Sequence, residues 1–509
     1  MLISFSVSNY KSYYERCTID FALPANGSNG LTILVGKNNA GKSSIINALA
    51  MCFDAKPNVV FDKMDRHNDQ DPFIEVKFKF EELKQTLTLK NEARAWYKKI
   101  LTLDHDGSEV PYETISNYTM PIVAYVPSRR PWEDTFQGGA GAHDIRGFEQ
   151  QRSSIFEQSR LGNRQLERLG DQLNQIILRG EKDQFDKILK SILPDISDWT
   201  TDRVAGQDRI MYVSASGAEH AIRDVGDGVT SVFRLCFALH SYPKNVSIIL
   251  DEPELSLHPD GQKRLYEVLR KYSKERQIII ATHSPHCIHW PDLTSGTKVY
   301  RIAQDEDGHS FAFVASDSVL KDVYNVAHKD FKNRKLFDYL AKEIFFSSSA
   351  LFVEGQEDVH IISRYLESKG QEDLPLFSYG AGGSPHIIKW VKLSRELGLV
   401  VAALYDGDKE GDEETCRKEF SSDGKVLVLL SPCEDIRDKI DEKTGKLLKE
   451  GFFTEKWQIK PEREDDFVLI LEKLRSHLED NESKLSRYVS GDSSKIVDFR
   501  SLVRADSKL

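Results

Sequence analysis

Nowhere does the chain of 509 residues reach the run of about 18 apolar residues that a membrane-spanning helix needs. The opening MLISFSVSNY lacks the basic segment and apolar core of a secretion signal, so a cytoplasmic address with no membrane partner is expected. Cysteine is sparse: Cys17, Cys52, Cys236, Cys287, Cys416 and Cys433 contain no C-x-x-C pair, which argues against both a zinc site and a disulfide frame. Positive charge is not in excess. With 69 Lys and Arg against 80 Asp and Glu, the net charge of -11 disfavours an indiscriminate polyanion binder. Nucleic acid would have to bind at local basic patches or through metal ions.

What is present is enough apolar sequence, 40%, to bury more than one core, and two or three domains are expected. Residues 2–7 and 31–35 read as short strands around a turn-rich stretch at 24–27, and 43–52 is helical in character. FIEVKFKF, 73–80, alternates like a half-buried strand. A strand at 122–126 is followed by a loop with Gly138, Gly139 and Gly141, then by Leu166, Leu169, Leu173 and Ile176 at helical spacing. The region of about 150–200 is read as an inserted helical arm or dimer surface; the alternative is an amphipathic helix lying on its own domain. Strand 246–250, helix 262–272 and strand 277–281 alternate in the β-α-β manner. The rhythm restarts near 346, after a polar helical stretch at 329–343, with strands 350–353, 399–405 and 425–430 and a helix at 359–368. The expectation is an α/β chain with one domain over 1–345 and a second over 346–509.

Residues 36–43, GKNNAGKS, fit G-x-x-x-x-G-K-[ST] between an apolar strand and a helix, the context that this motif requires. Backbone N–H groups of Gly36, Asn38, Asn39, Ala40, Gly41 and Ser44 would wrap the phosphates of ATP at the helix N-terminus. Lys42 adds positive charge at the β- and γ-phosphates, and the Ser43 hydroxyl can ligate Mg²⁺. Downstream, VSIILDE (246–252) is an apolar strand ending in two acids: Asp251 can hold the Mg²⁺ shell and Glu252 can polarise the attacking water.

In the second half, LFVEGQED (351–358) delivers Glu354 at a strand end and Asp358 one helical turn on, while VVAALYDGD (400–408) delivers Asp406 and Asp408. Carboxylates at the carboxyl ends of neighbouring strands in an open α/β sheet converge on one crevice. Crowded acids repel unless divalent cations neutralise them, and oxygen-rich sites suit Mg²⁺ or Mn²⁺. The intervening loop GAGGS (380–384) either lets a backbone approach closely or is no more than a tight turn.

These motifs carry three resemblances. The strand ending in Asp251-Glu252, followed by PELSLHP (253–259), resembles the Walker B strand and D-loop of ABC-type ATPases of the SMC and RecF kind. Ala281-Thr282-His283-Ser284 resembles their switch histidine, which would place His283 near the γ-phosphate. VGDGV (225–229) with the helix-like 230–239 looks like the ABC signature, except that Gly226 stands where the pattern has serine, so a backbone contact beside Gly228 would remain without the hydroxyl. No long heptad arms interrupt this half, which separates it from structural maintenance proteins. The second half resembles the Toprim fold, and the whole resembles the OLD (overcoming lysogenization defect) family.

That resemblance implies a two-metal DNA nuclease, often used in defence against phage, with Glu354, Asp358, Asp406 and Asp408 as metal-binding acids. Glu354 would act through its metal or as general base. Glu434 and Asp435 are the candidates for the second metal, and Lys495 for a late lysine that stabilises the transition state. It also implies a homodimer or higher homo-oligomer and a defence-system partner. An RNA target such as transfer RNA, or an ATPase sensor with a non-catalytic Toprim module, are the alternatives. A topoisomerase is disfavoured, because the second half leaves little room for a DNA-gate domain with its tyrosine.

Overall fold

The computed structural model describes residues 1–25, 27–53, 58–59, 72–80, 85–92, 98–103, 108, 123–126, 169–204, 207–221, 227–329, 341–377 and 380–482. The chain divides into two compact units, Met1–Ile302 with Ser310–Ala312, and Ala303–His309 with Phe313–Leu509. Gly138, Gly139, Gly141, Leu166, Gly226 and Lys495 lie outside the described residues.

The first unit is organised around a sheet of six strands in the order Ser310–Val314, Lys298–Gln304, Leu31–Val35, Ile278–Ala281, Ser247–Asp251, Val123–Val126. From Lys298–Gln304 to Val123–Val126 every neighbouring pair is parallel. Leu31–Val35, Ser247–Asp251 and Ile278–Ala281 are buried at every position, as expected of parallel strands covered on both faces. The phosphate-loop strand and the Asp251 strand are therefore not adjacent: Ile278–Ala281 lies between them and carries His283 just past its end. A second sheet has the order Cys17–Asp20, Leu2–Ser8, Phe73–Phe80, Gln85–Glu92, Lys98–Leu103, Asn58–Val59, and its recorded pairings are antiparallel. Phe5, Val7, Val76 and Phe78 from this sheet join Ile45, Ile46 and Leu49 of helix Lys42–Cys52 in one core.

In the segment expected as an arm or dimer surface, the described part contributes helices Leu169–Leu178 and Lys182–Ile192, then strands Ile196–Val204, Gln207–Ser214 and Glu219–Ala221. These helices bury their apolar stripes, with Leu173, Phe185, Leu189 and Ile192 all inaccessible. Phe185 and Trp199 pack on Phe233 with ring centroids 6.1 and 5.8 Å apart, and Arg264 donates to the Ile192 carbonyl at 2.9 Å. The described helices thus lie on their own unit.

The second unit holds a parallel sheet of Ser349–Phe352, Val400–Tyr405 and Val426–Leu430, in that order. Helices Gln356–Ser368, Ser384–Glu396, Glu410–Glu419 and Pro461–Glu482 follow in the chain. Leu351, Val353, Ile361, Ile362, Val400, Ala402, Phe467 and Leu474 share one core, which fixes the strand ends that carry the acids. Among the described residues, no helix is long and apolar enough to cross a membrane.

Candidate functional site

The loop 36–43 links strand Leu31–Val35 to helix Lys42–Cys52. Gly36 has φ +149°, and a Cβ on it would lie 2.1 Å from the Ile302 carbonyl oxygen, so no larger residue fits without moving backbone. Lys42 is buried and its Nζ donates to the carbonyls of Gly36 and Lys37, each at 2.9 Å, which folds the lysine back across its own loop. Burial lowers its pKa to about 8, against the opposing pull of Glu252, Asp251 and Glu254. The Ser43 hydroxyl donates to Asp251 Oδ1 at 3.3 Å. Two oxygens bound at right angles to one Mg²⁺ lie ~3 Å apart, so this pair fits a shared Mg²⁺. Burial, then the charge of Glu252, raises Asp251 to about 6, while Ser43 and Lys42 work the other way; an added cation would relieve that penalty.

Glu252 takes φ +45°, a left-handed backbone that costs a non-glycine residue on the order of 1–3 kcal/mol and is held here by its N–H bond to the Ala281 carbonyl at 2.8 Å. That turn brings Glu252 Oε1 to 3.4 Å from His283 Nε2. Glu254, which sequence reasoning assigned no role, organises this corner. Its buried carboxylate accepts from Tyr266 OH at 2.9 Å, Thr282 Oγ1 at 2.6 Å and the His283 amide at 3.1 Å. It ties the loop after the Asp251 strand to the loop bearing His283. The helix expected from 230 begins earlier, as Asp227–Ser241, so Gly228 sits in its first turn. A Cβ on Gly228 would lie 2.6 Å from the Ser256 carbonyl oxygen, so this glycine packs on the D-loop-like segment of its own chain.

In the second unit, Glu354 follows strand Ser349–Phe352, and Asp406 and Asp408 follow strand Val400–Tyr405, its parallel neighbour. Glu354 Oε1 accepts from the Asp406 amide at 3.2 Å, so the two strand ends meet. Asp358 lies inside helix Gln356–Ser368, which starts before the expected 359, and its Oδ2 accepts from the Gly355 amide at 2.8 Å as a helix cap. The loop at 380–383 approaches closely: the Gly382 and Gly383 amides donate to the Glu354 carbonyl at 3.0 and 2.9 Å. Gly380, at φ +69°, leaves no room for a Cβ beside Gly355, at 2.5 Å.

Burial, then the charges of Asp358, Glu354, Asp435 and Asp408, raises Asp406 to about 8. Burial, opposed by the Gly355 amide and reinforced by Glu354 and Asp435, raises Asp358 to about 7. Glu354 is raised as well, chiefly by burial. These are carboxylates whose charge is unbalanced, the condition that a divalent cation relieves. Asp408 differs. Burial raises it, but hydrogen bonds from Lys449 at 2.6 Å and Lys409 at 2.9 Å hold it below the usual carboxylate value.

Of the two acids after strand Val426–Leu430, Asp435 is buried and its charge acts on both Asp358 and Asp406. Glu434 is exposed and accepts from the Glu450 amide at 3.3 Å. Sequence reasoning offered no role for Lys449. The carboxyl groups are more open than a preformed cage. Among the described residues, the set of three ligand atoms all within 4.8 Å of one another is Asp305, Asp307 and His309, in a turn capped by Asp305 Oδ1 accepting from the His309 amide at 2.7 Å.

Comparison with known proteins follows the same division. Residues 1–124 match the family described as AAA ATPase domain, and residues 124–288 match AAA domain, putative AbiEii toxin, Type IV TA system. Residues 345–408 match the overcoming lysogenization defect protein-like TOPRIM domain. The chain is 27% identical over 182 residues to an OLD nuclease of Thermus scotoductus, a match covering 34% of each protein. Against endonuclease GajA of Bacillus cereus strain VD045 it is 24% identical over 328 residues, covering 58% of this chain and 52% of that one. GajA of strain HuB5-5 is 25% identical over 199 residues, covering 35% of this chain and 29% of that one. The chain thus spans about a third to a half of the length of these curated relatives. The solved SMC head domain from Thermotoga maritima aligns with 62% of this chain and 99% of its own at a TM-score of 0.36 and 15% identity. The chain carries AAA ATPase domains followed by an OLD-like Toprim domain, and its relatives include an OLD nuclease and GajA endonucleases.

Proposed function

We propose that the protein is an ATP-binding and ATP-hydrolysing, divalent-metal-dependent endonuclease that cuts or nicks DNA, acting in anti-phage defence in the cytoplasm. The observation that carries the reading is the meeting of Glu354 and Asp406 at adjacent strand ends, with Asp358 and Asp406 pushed toward neutral pH by burial and by the neighbouring carboxylates. Glu354, Asp358, Asp406 and Asp408 are the residues proposed to hold Mg²⁺ or Mn²⁺. A bound cation would polarise the phosphodiester and offset charge on the attacking and leaving oxygens.

The chain's own residues supply the rest. Asp406, through its amide, fixes the Glu354 carboxylate at the crevice, where it can orient or deprotonate water. Lys495 is proposed to offset charge on the phosphorane. In the first unit, Lys42 would supply positive charge to the β- and γ-phosphates, Ser43 and Asp251, 3.3 Å apart, would hold Mg²⁺, and Glu252, 3.4 Å from His283, would orient the hydrolytic water. The glycines at 226 and 228 are proposed to cap ATP of a second subunit, so a homodimer or larger assembly completes the site.

With Mg²⁺ or Mn²⁺ the purified chain should cut supercoiled plasmid, tested with and without ATP and against RNA in parallel. Cutting of RNA alone would redirect the target class. Cutting of neither, with metal bound, would support a sensor role instead.

A further inference from the structure

The acids at the Toprim strand ends fall into two groups by direct ion pairing, although the charges of Lys409 and Lys449 also reach Glu354. Among the described residues, Glu354, Asp358 and Asp406 form no ion pair. The hydrogen bonds that Glu354 and Asp358 accept come from the Asp406 and Gly355 amides. Asp408 and Asp435 face lysines instead. Lys449 Nζ lies 2.6 Å from Asp408 Oδ2 and 4.0 Å from Asp435 Oδ2. Lys409 adds a contact of 2.9 Å to Asp408, and Lys439 one of 3.4 Å to Asp435.

Lys449 ends the strand Leu447–Lys449, which pairs antiparallel with Lys439–Ile440, while its two carboxylate partners come from other elements. It therefore joins Asp408, beyond the central strand of the sheet, to Asp435, on the short strand Asp435–Arg437. A lysine ammonium is a compact point charge on a flexible stem and can stand where a hydrated cation would. A divalent ion entering between Asp408 and Asp435 meets that charge at contact distance, where like-charge repulsion is strongest.

We propose that the Toprim site takes a single resident divalent cation, on the Glu354, Asp358 and Asp406 side. Lys449 supplies positive charge at Asp408 and Asp435 in place of a second ion. This rests on the metal-site part of the nuclease reading, departs from the two-ion arrangement that the OLD resemblance implies, and makes Asp408 the partner of Lys449 in place of a metal ligand. Lys449 is then a positioning residue that sets metal stoichiometry.

The test is Mn²⁺ binding to the nucleotide-free full chain, followed by calorimetry and by electron paramagnetic resonance. The ions that belong to the site are those lost in Asp406→Asn. Wild type should lose one such ion and show an uncoupled Mn²⁺ spectrum. Lys449→Met and Lys449→Gln, each checked for an unchanged circular-dichroism spectrum, should gain a second ion, spin-coupled to the first at the ~3.5–4 Å separation of two-metal sites. Lys449→Arg, which keeps the charge, should remain at one. Two coupled ions in wild type would overturn the inference while leaving the metal site standing, as would folded Met and Gln variants that gain none. No Asp406-dependent binding at all would overturn both.

Discussion

Replacing Asp406 by Asn should stabilise the metal-free protein, because it removes a carboxylate held among like charges. The pKa of Asp406 is raised from 3.8 to about 8, chiefly by burial and then by Asp358, Glu354, Asp435 and Asp408. Between those values the folded chain keeps the proton that the unfolded chain has released. The contribution to stability is complete below pH 3.8 and is lost as pH rises through about 8. One pKa unit corresponds to about 1.4 kcal/mol, so the full slope from pH 5 to pH 8 is ~4 kcal/mol. Asp358, itself raised to about 7, shares the repulsion and relaxes when either acid is protonated, which reduces the effect to about 2 kcal/mol.

Asn does not ionise, so the stability margin of Asp406→Asn over wild type should widen by that amount across the window. It would appear as a shift of ~4–8 °C in the Toprim unit's melting transition in EDTA. Mn²⁺ should then reverse the order, stabilising wild type and leaving the variant unmoved. A variant less stable than wild type at pH 8 in EDTA, or a margin independent of pH, would refute the reasoning.

The ATPase half makes its own predictions. Lys42→Ala should weaken ATP binding by at least ~100-fold in a fluorescent-nucleotide titration, since it removes a charge-assisted phosphate contact. Glu252→Gln should bind ATP normally yet hydrolyse it ~100-fold or more slowly, the usual range for losing a positioned base. Gly36→Ala, whose Cβ would meet the Ile302 carbonyl at 2.1 Å, should lower both melting temperature and ATP affinity, by on the order of 1–3 kcal/mol in stability. Lys495→Ala should slow phosphodiester cleavage while Mn²⁺ affinity in calorimetry stays at the wild-type value.

Much of this arrangement is legible in the sequence because it is local. Glycines at fixed offsets between an apolar strand and a helix specify a phosphate loop, and acids closing apolar runs mark strand ends in a parallel sheet. What sequence reasoning missed depends on tertiary contact. Glu254 looks like one more acid in a polar loop, and only the fold brings Thr282, Tyr266 and the His283 amide to it. Lys449 lies 41 positions after Asp408 and becomes its partner through a short hairpin. The choice between Glu434 and Asp435 is one of parity. Asp435 opens the three-residue strand Asp435–Arg437 and Glu434 precedes it, and so short a strand carries no alternating pattern from which to fix which acid turns inward. The helix at Gly228 begins three residues before its expected start because a glycine in the first turn is no barrier when it packs against Ser256.

The central claim is that Asp406 and Asp408, arriving beside Glu354 on adjacent strands, make the phosphodiesterase site. It is tested most directly by cutting of supercoiled plasmid in Mg²⁺ or Mn²⁺ by wild type, Asp406→Ala and Asp408→Ala, with ATP binding measured on the same preparations. The account predicts cutting by wild type, none by either variant and equal ATP affinity in all three. Equal cutting by the variants would contradict it.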